Sequence, residues 1–310
     1  MPTASFHPDL RAARFLPRSI VGPRRLRMAR WLLGLPKPDA SANAVIADAA
    51  PHVPVRVFRP AAPPRRRPGL LWLPSGGMVL GTVEGDDSRC RAIADRLDIV
   101  VVSVGYRLAP EHPYPTPLED CYAGLRWLAA QPDVDADRIA VGGASAGGGL
   151  AAALALLARQ RGEVRPVMQL LVYPMLDDRT SLRTDIDPRR LRLWSQASNK
   201  FGWDCYLGSA TAGDNVPALA APARHDDLNG LPRAWIGVGT NDLFHDENVG
   251  YARRLRSAGV ACTLDVVPGA YHGFDRIEAK APVSQAFFEA QIAALDEALN
   301  ATAPVWPNAS

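Results

Sequence analysis

One serine, one histidine and one aspartate in this chain stand where, together, they could make a nucleophile. Ser145 lies in Gly143-Ala144-Ser145-Ala146-Gly147, the Gly-x-Ser-x-Gly spacing of a nucleophile elbow. A β-type apolar run, Arg138 to Gly142, enters this segment, and an Ala/Leu-rich helical run, Leu150 to Gln160, leaves it. Such a turn holds its serine in a sparsely allowed backbone conformation, so its flanks must be small for strand and helix to approach. The hydroxyl is then presented at the C-terminal edge of a sheet. The N–H of Ala146 falls at a helix N-terminus, where it favours negative charge.

A serine hydroxyl needs a base to take its proton and a carboxylate to orient that base. In the order Ser…Asp/Glu…His, both follow the serine at the ends of later strands. Three histidines follow Ser145: His225, His245 and His272. His225 sits among Arg224, Asp226 and Asp227 and reads as a surface residue, while His245 comes too early to follow the last strand. His272, in Pro268-Gly269-Ala270-Tyr271-His272-Gly273-Phe274, directly follows the apolar run ending at Val267 and is the expected base. Asp242 comes three residues after the run Arg233–Gly239 and is the expected orienting carboxylate; Asp246 and Glu247 read better as first-turn acids of a helix. Attack on a carbonyl also needs donors for the developing oxyanion. The loop Pro74-Ser75-Gly76-Gly77 after an early strand can offer the N–H groups of Gly76 and Gly77 beside that of Ala146.

The elements that must position these groups alternate along the chain. β-type runs are expected at Val53–Arg59, Leu70–Leu73, Ile99–Tyr106, Arg138–Gly142, Met168–Tyr173, Arg233–Gly239 and Cys262–Val267. Helical runs are expected at Ser88–Leu97, Leu118–Ala130, Ala146–Gln160, Glu247–Ala258 and Val283–Asn300. That alternation predicts an α/β domain with a mostly parallel sheet covered by helices. The Pro/Arg-rich stretch Pro60–Pro68 reads as an exposed connection. From Asp177 to about Leu228 no convincing strand occurs, but Trp194, Phe201, Trp203 and Tyr206 do. An excursion of that length in a compact α/β domain reads as a lid or helical insertion. The expected organisation is an N-terminal part of a cap over residues 1–45, a core over 46–176 and 229–310, and a cap insertion over 177–228.

Composition narrows the function classes. At 310 residues the chain suits one large α/β domain or a domain plus a lid, and no stretch reaches the roughly 18 apolar residues of a membrane span. Four scattered cysteines without metal-like spacing read as reduced thiols in a cytoplasmic protein. No metal and no organic cofactor is expected. Residues 1–38 carry eight basic residues against Asp9 alone, although the whole chain carries only +3. Such an arm could touch an acidic membrane surface, but a solvated amphipathic helix leading into the core is the simpler account. No basic–aromatic platform follows it, which argues against nucleic acid.

With these residues in view, the chain resembles the hormone-sensitive lipase-like carboxylesterases of the α/β-hydrolase fold (bacterial family IV). Tyr106-Arg107-Leu108-Ala109-Pro110-Glu111-His112-Pro113 with Pro117-Leu118-Glu119-Asp120 is similar to the family's YRLAPEHP…P..LED block. Gly143 to Gly148 is similar to its GDSAGG elbow, with Ala144 in place of the Asp. Gly239-x-x-Asp242-x-x-x-Asp246-Glu247 and His272-Gly273-Phe274 match its acid and histidine segments. The family's HGGG loop aligns with Pro74-Ser75-Gly76-Gly77, so its histidine and first glycine are missing while the two donor glycines stay. The resemblance implies a serine carboxylic-ester hydrolase acting on small or short-to-medium acyl esters, with a cap over the sheet edge and altered support for the oxyanion loop. It also brings a homodimer into view, although no residue marks the interface. Two other readings are a hydrolase-fold ligand-binding protein with little or no activity, and an amidase or peptidase using the same triad.

Overall fold

The structure, a computed structural model, describes residues 5–33, 44–61, 63, 65–208 and 212–300. Part of the expected N-terminal cap segment, with the basic Lys37, and two positions of the Pro60–Pro68 connection lie outside these residues. An eight-stranded sheet forms the frame, in the order β1-β2-β4-β3-β5-β6-β7-β8. The strands are β1 (Val45–Ala50), β2 (Val53–Phe58), β3 (Arg67–Leu73), β4 (Val100–Val104), β5 (Val134–Ala144), β6 (Met168–Val172), β7 (Arg233–Asn241) and β8 (Cys262–Tyr271). β1 and β2 pair antiparallel with each other, and β2 pairs antiparallel with β4. Every pairing from β4 across to β8 is parallel.

Both faces of the sheet are covered, which is why its central strands read as unbroken apolar runs rather than alternating ones. Leu71 and Leu73 of β3 pack on one face with α3 (Thr116–Ala129), α4 (Ala146–Arg161) and α6 (His245–Ser257). Leu70 and Trp72 of the same strand pack on the other face with α2 (Asp87–Leu97) and α8 (Pro282–Asn300). Every residue of α4 from Ala146 to Ala158 is buried, so this helix is apolar all round, as a helix sunk in a core must be.

The excursion between β6 and β7 contains one α-helix among its described residues, α5 (Gln196–Leu207), capped by Ser195. The N-terminal segment, which includes the amphipathic α1 (Leu26–Leu33), is tied to this excursion. The Leu193 amide donates to the Pro17 carbonyl (2.8 Å), the Ile20 amide to the Leu193 carbonyl (3.2 Å), and the Ser198 hydroxyl to the Val21 carbonyl (2.9 Å). On α1, Leu26 is buried, whereas Met28 and Trp31 face outward, so the helix is not simply polar on its solvent side.

Three differences from the sequence expectation have physical causes. β1 was not expected: it is an Ala/Asp-containing edge strand with Val45 and Ile46 exposed, so it lacks period-2 alternation. β3 starts inside the stretch read as an exposed connection. Arg67 is buried there, with its Nε 2.9 Å from Asp98, and Pro68 occupies a register shift where no ladder donor is needed. β8 runs four residues beyond Val267, to Tyr271, because extra residues in β8 opposite Thr240 shift the register and let pairing resume at Asn241 and Tyr271.

The excursion is anchored at its start by Glu247 in the first turn of α6. Its carboxylate accepts the amides of Leu176 (2.7 Å) and Asp177 (3.3 Å) and the Thr180 hydroxyl. Burial pushes this carboxyl well above its ordinary 4.5, outweighing the hydrogen bonds that favour the anion. The unfolded chain therefore releases this proton at lower pH than the folded one, and stability falls as pH rises from about 4.5 through the raised value. Glu247→Gln keeps an acceptor for both amides. It is expected to match the native chain in thermal denaturation below that window and to unfold at higher temperature at pH 8. A lower Tm at pH 8 would mean that the carboxylate is the favoured folded form.

Candidate active site

Ser145 terminates β5 and caps α4 with φ 57° and ψ −121°, a left-handed conformation that few non-glycine residues adopt. Two backbone bonds fix it there: its amide donates to the Val172 carbonyl (2.9 Å), and its carbonyl accepts the Met175 amide (3.0 Å). Gly147 makes the turn sterically feasible. A β-carbon at that residue would lie 1.9 Å from the Leu73 carbonyl oxygen, and one at Gly143 would lie 2.5 Å from the Gly147 backbone. The helix can therefore start directly beneath the end of β3.

The other two candidates arrive from neighbouring strands. Asn241 of β7 and Tyr271 of β8 are ladder partners, so the next residue of each strand, Asp242 and His272, emerges at the same edge. His272 Nδ1 lies 2.8 Å from Asp242 Oδ2, and His272 Nε2 lies 2.9 Å from Ser145 Oγ. The remaining oxygen of Asp242 accepts the Phe244 amide (2.9 Å), which fixes the carboxylate plane. All three residues are buried, at 4%, 5% and 8% exposure for Ser145, Asp242 and His272, so water competes little for these bonds.

His225 and His245 are not part of this chain of bonds; His245 pairs with Asp246 at the start of α6 (2.7 Å). Asp246 also binds Arg183 (2.6 Å), and Glu247 holds the loop described above, so neither acid orients His272. Two groups beyond the sequence reading hold the His272 ring. Tyr173 and Phe244 meet it edge-on, with centroids at 4.8 Å and 5.2 Å. Tyr173 also donates its hydroxyl to Asp275 (2.7 Å). Its place just past the end of β6, level with the elbow, is the sequence signal that marks it.

Gly76 (φ 143°) and Gly77 (φ 62°) both occupy conformations that favour glycine. A β-carbon on Gly76 would meet the Leu80 carbonyl oxygen at 2.0 Å, and one on Gly77 would meet the Trp194 ring at 2.0 Å. The Ala146 amide, first in α4, has no acceptor within its own helix. Gly76 and Gly77 line a cavity of about 330 Å³ together with Ser145 and His272. Ile20, Leu193 and Trp194, from the N-terminal segment and the excursion, form an apolar wall of the same cavity.

A mostly parallel sheet with an elbow at its C-terminal edge and a cavity above it defines a protein of the α/β-hydrolase fold. A family model described as alpha/beta hydrolase fold matches residues 70–276. Carboxylesterase NlhH of Mycobacterium tuberculosis is 36% identical over 259 residues, covering 82% of this chain and 81% of that protein. Ethyl acetate hydrolase of Pseudomonas putida is 34% identical, covering 73% of this chain and 72% of the relative. Among solved structures, a bacterial heroin esterase is 36% identical and superposes with a TM-score of 0.85 over 96% of this chain and 99% of its own. The chain belongs to the hormone-sensitive lipase-like carboxylesterases, bacterial family IV. It is an ester-hydrolysing enzyme. No helix among its described residues is long and apolar enough to cross a membrane.

The close packing at the elbow sets a measurable asymmetry between two glycines. Gly147→Ala is expected to cost about 3 kcal/mol by forcing strand and helix apart. Gly162→Ala, at φ 72° with open space around it, is expected to cost only ~1–2 kcal/mol of backbone strain. Urea denaturation of the two variants makes the comparison, and equal losses would contradict the packing argument.

Proposed function

We propose that the protein is a serine carboxylesterase working through an acyl-enzyme on Ser145, with His272 as general base and acid and Asp242 as its orienting carboxylate. The observation that carries this reading is the continuous chain of bonds from Asp242 through His272 to Ser145 at 2.8 Å and 2.9 Å, on an elbow facing a cavity. With its proton on Nδ1 and donated to Asp242, the neutral imidazole leaves Nε2 free to accept from the serine hydroxyl. Nε2 takes that proton as Oγ bonds to the ester carbonyl carbon, and the N–H groups of Gly76, Gly77 and Ala146 receive the oxyanion. Collapse expels the alcohol, which takes the proton from His272. Water then repeats the sequence on the acyl-enzyme and releases the acid.

The same reading makes residues 1–45 and 177–228 a cap over the core formed by 46–176 and 229–310. It is supported by the bonds that tie Pro17, Ile20 and Val21 to Leu193 and Ser198, and by the cavity wall both segments supply. A cavity of about 330 Å³, walled by Trp194, suits small or short-to-medium acyl groups. The likeness to an ethyl acetate hydrolase supports the same size class. A cytoplasmic setting is part of the proposal, supported by four free cysteines.

Hydrolysis of a p-nitrophenyl acyl series tests it. The rate is expected to be highest from acetate to hexanoate and to fall steeply at dodecanoate. Ser145→Ala and His272→Ala are each expected to lose at least ~10³-fold in kcat, and EDTA is expected to leave the rate unchanged. Hydrolysis that survives Ser145→Ala would refute the assignment of the nucleophile.

A further inference from the structure

The loop that carries Gly76 and Gly77 is tied down at several points. The Tyr106 hydroxyl donates to the Pro74 carbonyl (2.7 Å). The Gly76 carbonyl accepts the amides of Leu80 (2.8 Å) and Val79 (3.2 Å). Between these anchors stands Ser75, whose hydroxyl is bonded by Nη1 of Arg276. Arg276 belongs to α7 (Phe274–Ile277), the single turn that begins two residues after His272. Its other nitrogen, Nη2, donates to the Gly85 carbonyl (3.0 Å) and lies 3.4 Å from Asp86 Oδ1.

Asp86 closes the circuit. It is buried, and its second oxygen accepts the indole N–H of Trp72 (3.0 Å), a residue of the strand that runs into the loop. Burial alone would raise the Asp86 carboxyl, but Arg276, the Trp72 N–H and Arg89 together hold it below the usual carboxylate range. The Ser75 amide adds to that lowering. A carboxylate is therefore in place to hold the guanidinium, and the guanidinium holds the serine.

We propose that Arg276, acting through Ser75 and anchored by Asp86, is a positioning residue for the oxyanion loop. The proposal rests on the serine-esterase reading above. Two consecutive glycines in glycine-favouring conformations have no side chains of their own to lock them. Oxyanion donors act only when aimed at the tetrahedral oxygen, and a shift on the order of 1 Å can cost ~10²-fold in rate. The planar fork of Arg reaches Ser75 with one nitrogen and Gly85 and Asp86 with the other, a geometry the single ammonium of Lys cannot match. Such a clamp acts on the transition state, so its loss appears in kcat and leaves KM nearly unchanged.

The test measures kcat and KM on p-nitrophenyl acetate for the native enzyme, Ser75→Ala, Arg276→Met, Arg276→Lys and the double variant Ser75→Ala/Arg276→Met. Inhibition by an alkyl trifluoromethyl ketone, which adds to the serine as a tetrahedral mimic, is measured alongside. Ser75→Ala and Arg276→Met are each expected to lower kcat about ten- to hundredfold, with KM held within about threefold. Affinity for the ketone is expected to fall in proportion to kcat, with Lys recovering only part of the loss. The double variant is expected to be no worse than the weaker single one, because both remove one contact. Ser75→Ala deletes a single hydroxyl and reads the contact even where an Arg276 variant fails to fold. Normal kcat in folded Ser75→Ala, additive losses in the double variant, or a loss carried by KM would each overturn the clamp. Activity that persists in Ser145→Ala would overturn the serine-esterase reading; activity that depends on Ser145 but not on Ser75 would overturn the clamp alone.

Discussion

A β-carbon at residue 147 would sit 1.9 Å from the carbonyl oxygen of Leu73, so α4 can begin where it does only because Gly147 has none. That contact couples three elements at one point: the end of β3, the turn at Ser145 and the first turn of α4. It sets the height of Ser145 above the sheet and, because β3 runs into Pro74, the starting point of the Gly76-Gly77 loop beside it. The left-handed backbone of Ser145 follows from the same constraint, since the chain must reverse from strand to helix within one residue. The buried apolar length of α4 behind the turn holds that strained residue in place.

The opposite side of the site depends on pairing rather than closeness. β7 and β8 lose register between Gly239 and Asn241 and regain it at the Asn241–Tyr271 pair. A β-carbon on Gly239 would meet the Ala270 carbonyl oxygen at 2.1 Å, so the irregularity requires a glycine just before it. The Thr240 hydroxyl accepts the Gly269 amide (2.7 Å), and Asn241 donates its side-chain amide to the Gly269 carbonyl (3.2 Å). The two strands therefore deliver Asp242 and His272 side by side, and edge-on contacts from Tyr173 and Phe244 limit rotation of the imidazole. Two strand ends and two rings turn a sequence separation of thirty residues into a bond of 2.8 Å.

Ser145, Asp242 and His272 are legible in the sequence because each follows an apolar strand in a fixed order, and strands of a doubly covered parallel sheet announce themselves as unbroken apolar runs. Gly76 and Gly77 are legible for a related reason, since only residues lacking a side chain fit there. The edge strand β1 is not, because an exposed strand with alanine and aspartate has no pattern to distinguish it from a loop. Arg67 is hidden by its charge: nothing local says that this arginine, among several in Arg65-Arg66-Arg67, is the one buried against Asp98. Arg276 and Asp86 are hidden by distance. They are nearly two hundred residues apart, and each alone reads as a solvated charge.

The charged groups around the cavity therefore form a structure rather than a field. Asp86 lies between Arg276 and the Trp72 indole, while Asp275 accepts from both Tyr173 and Arg89. Two acids and two guanidinium groups, Asp86 with Arg276 and Asp275 with Arg89, balance each other beside the site. The buried Asp275–Arg89 pair adds little net stability, because desolvation offsets most of the attraction. What it does supply is direction. Asp275 steadies the ring that flanks His272, and Asp86 steadies the arginine that holds Ser75. The segment His272 to Arg276 thus reaches both sides of the cavity, with the imidazole at one end of five residues and the guanidinium at the other. A displacement of that short segment would move the His272 imidazole and the Arg276 guanidinium together.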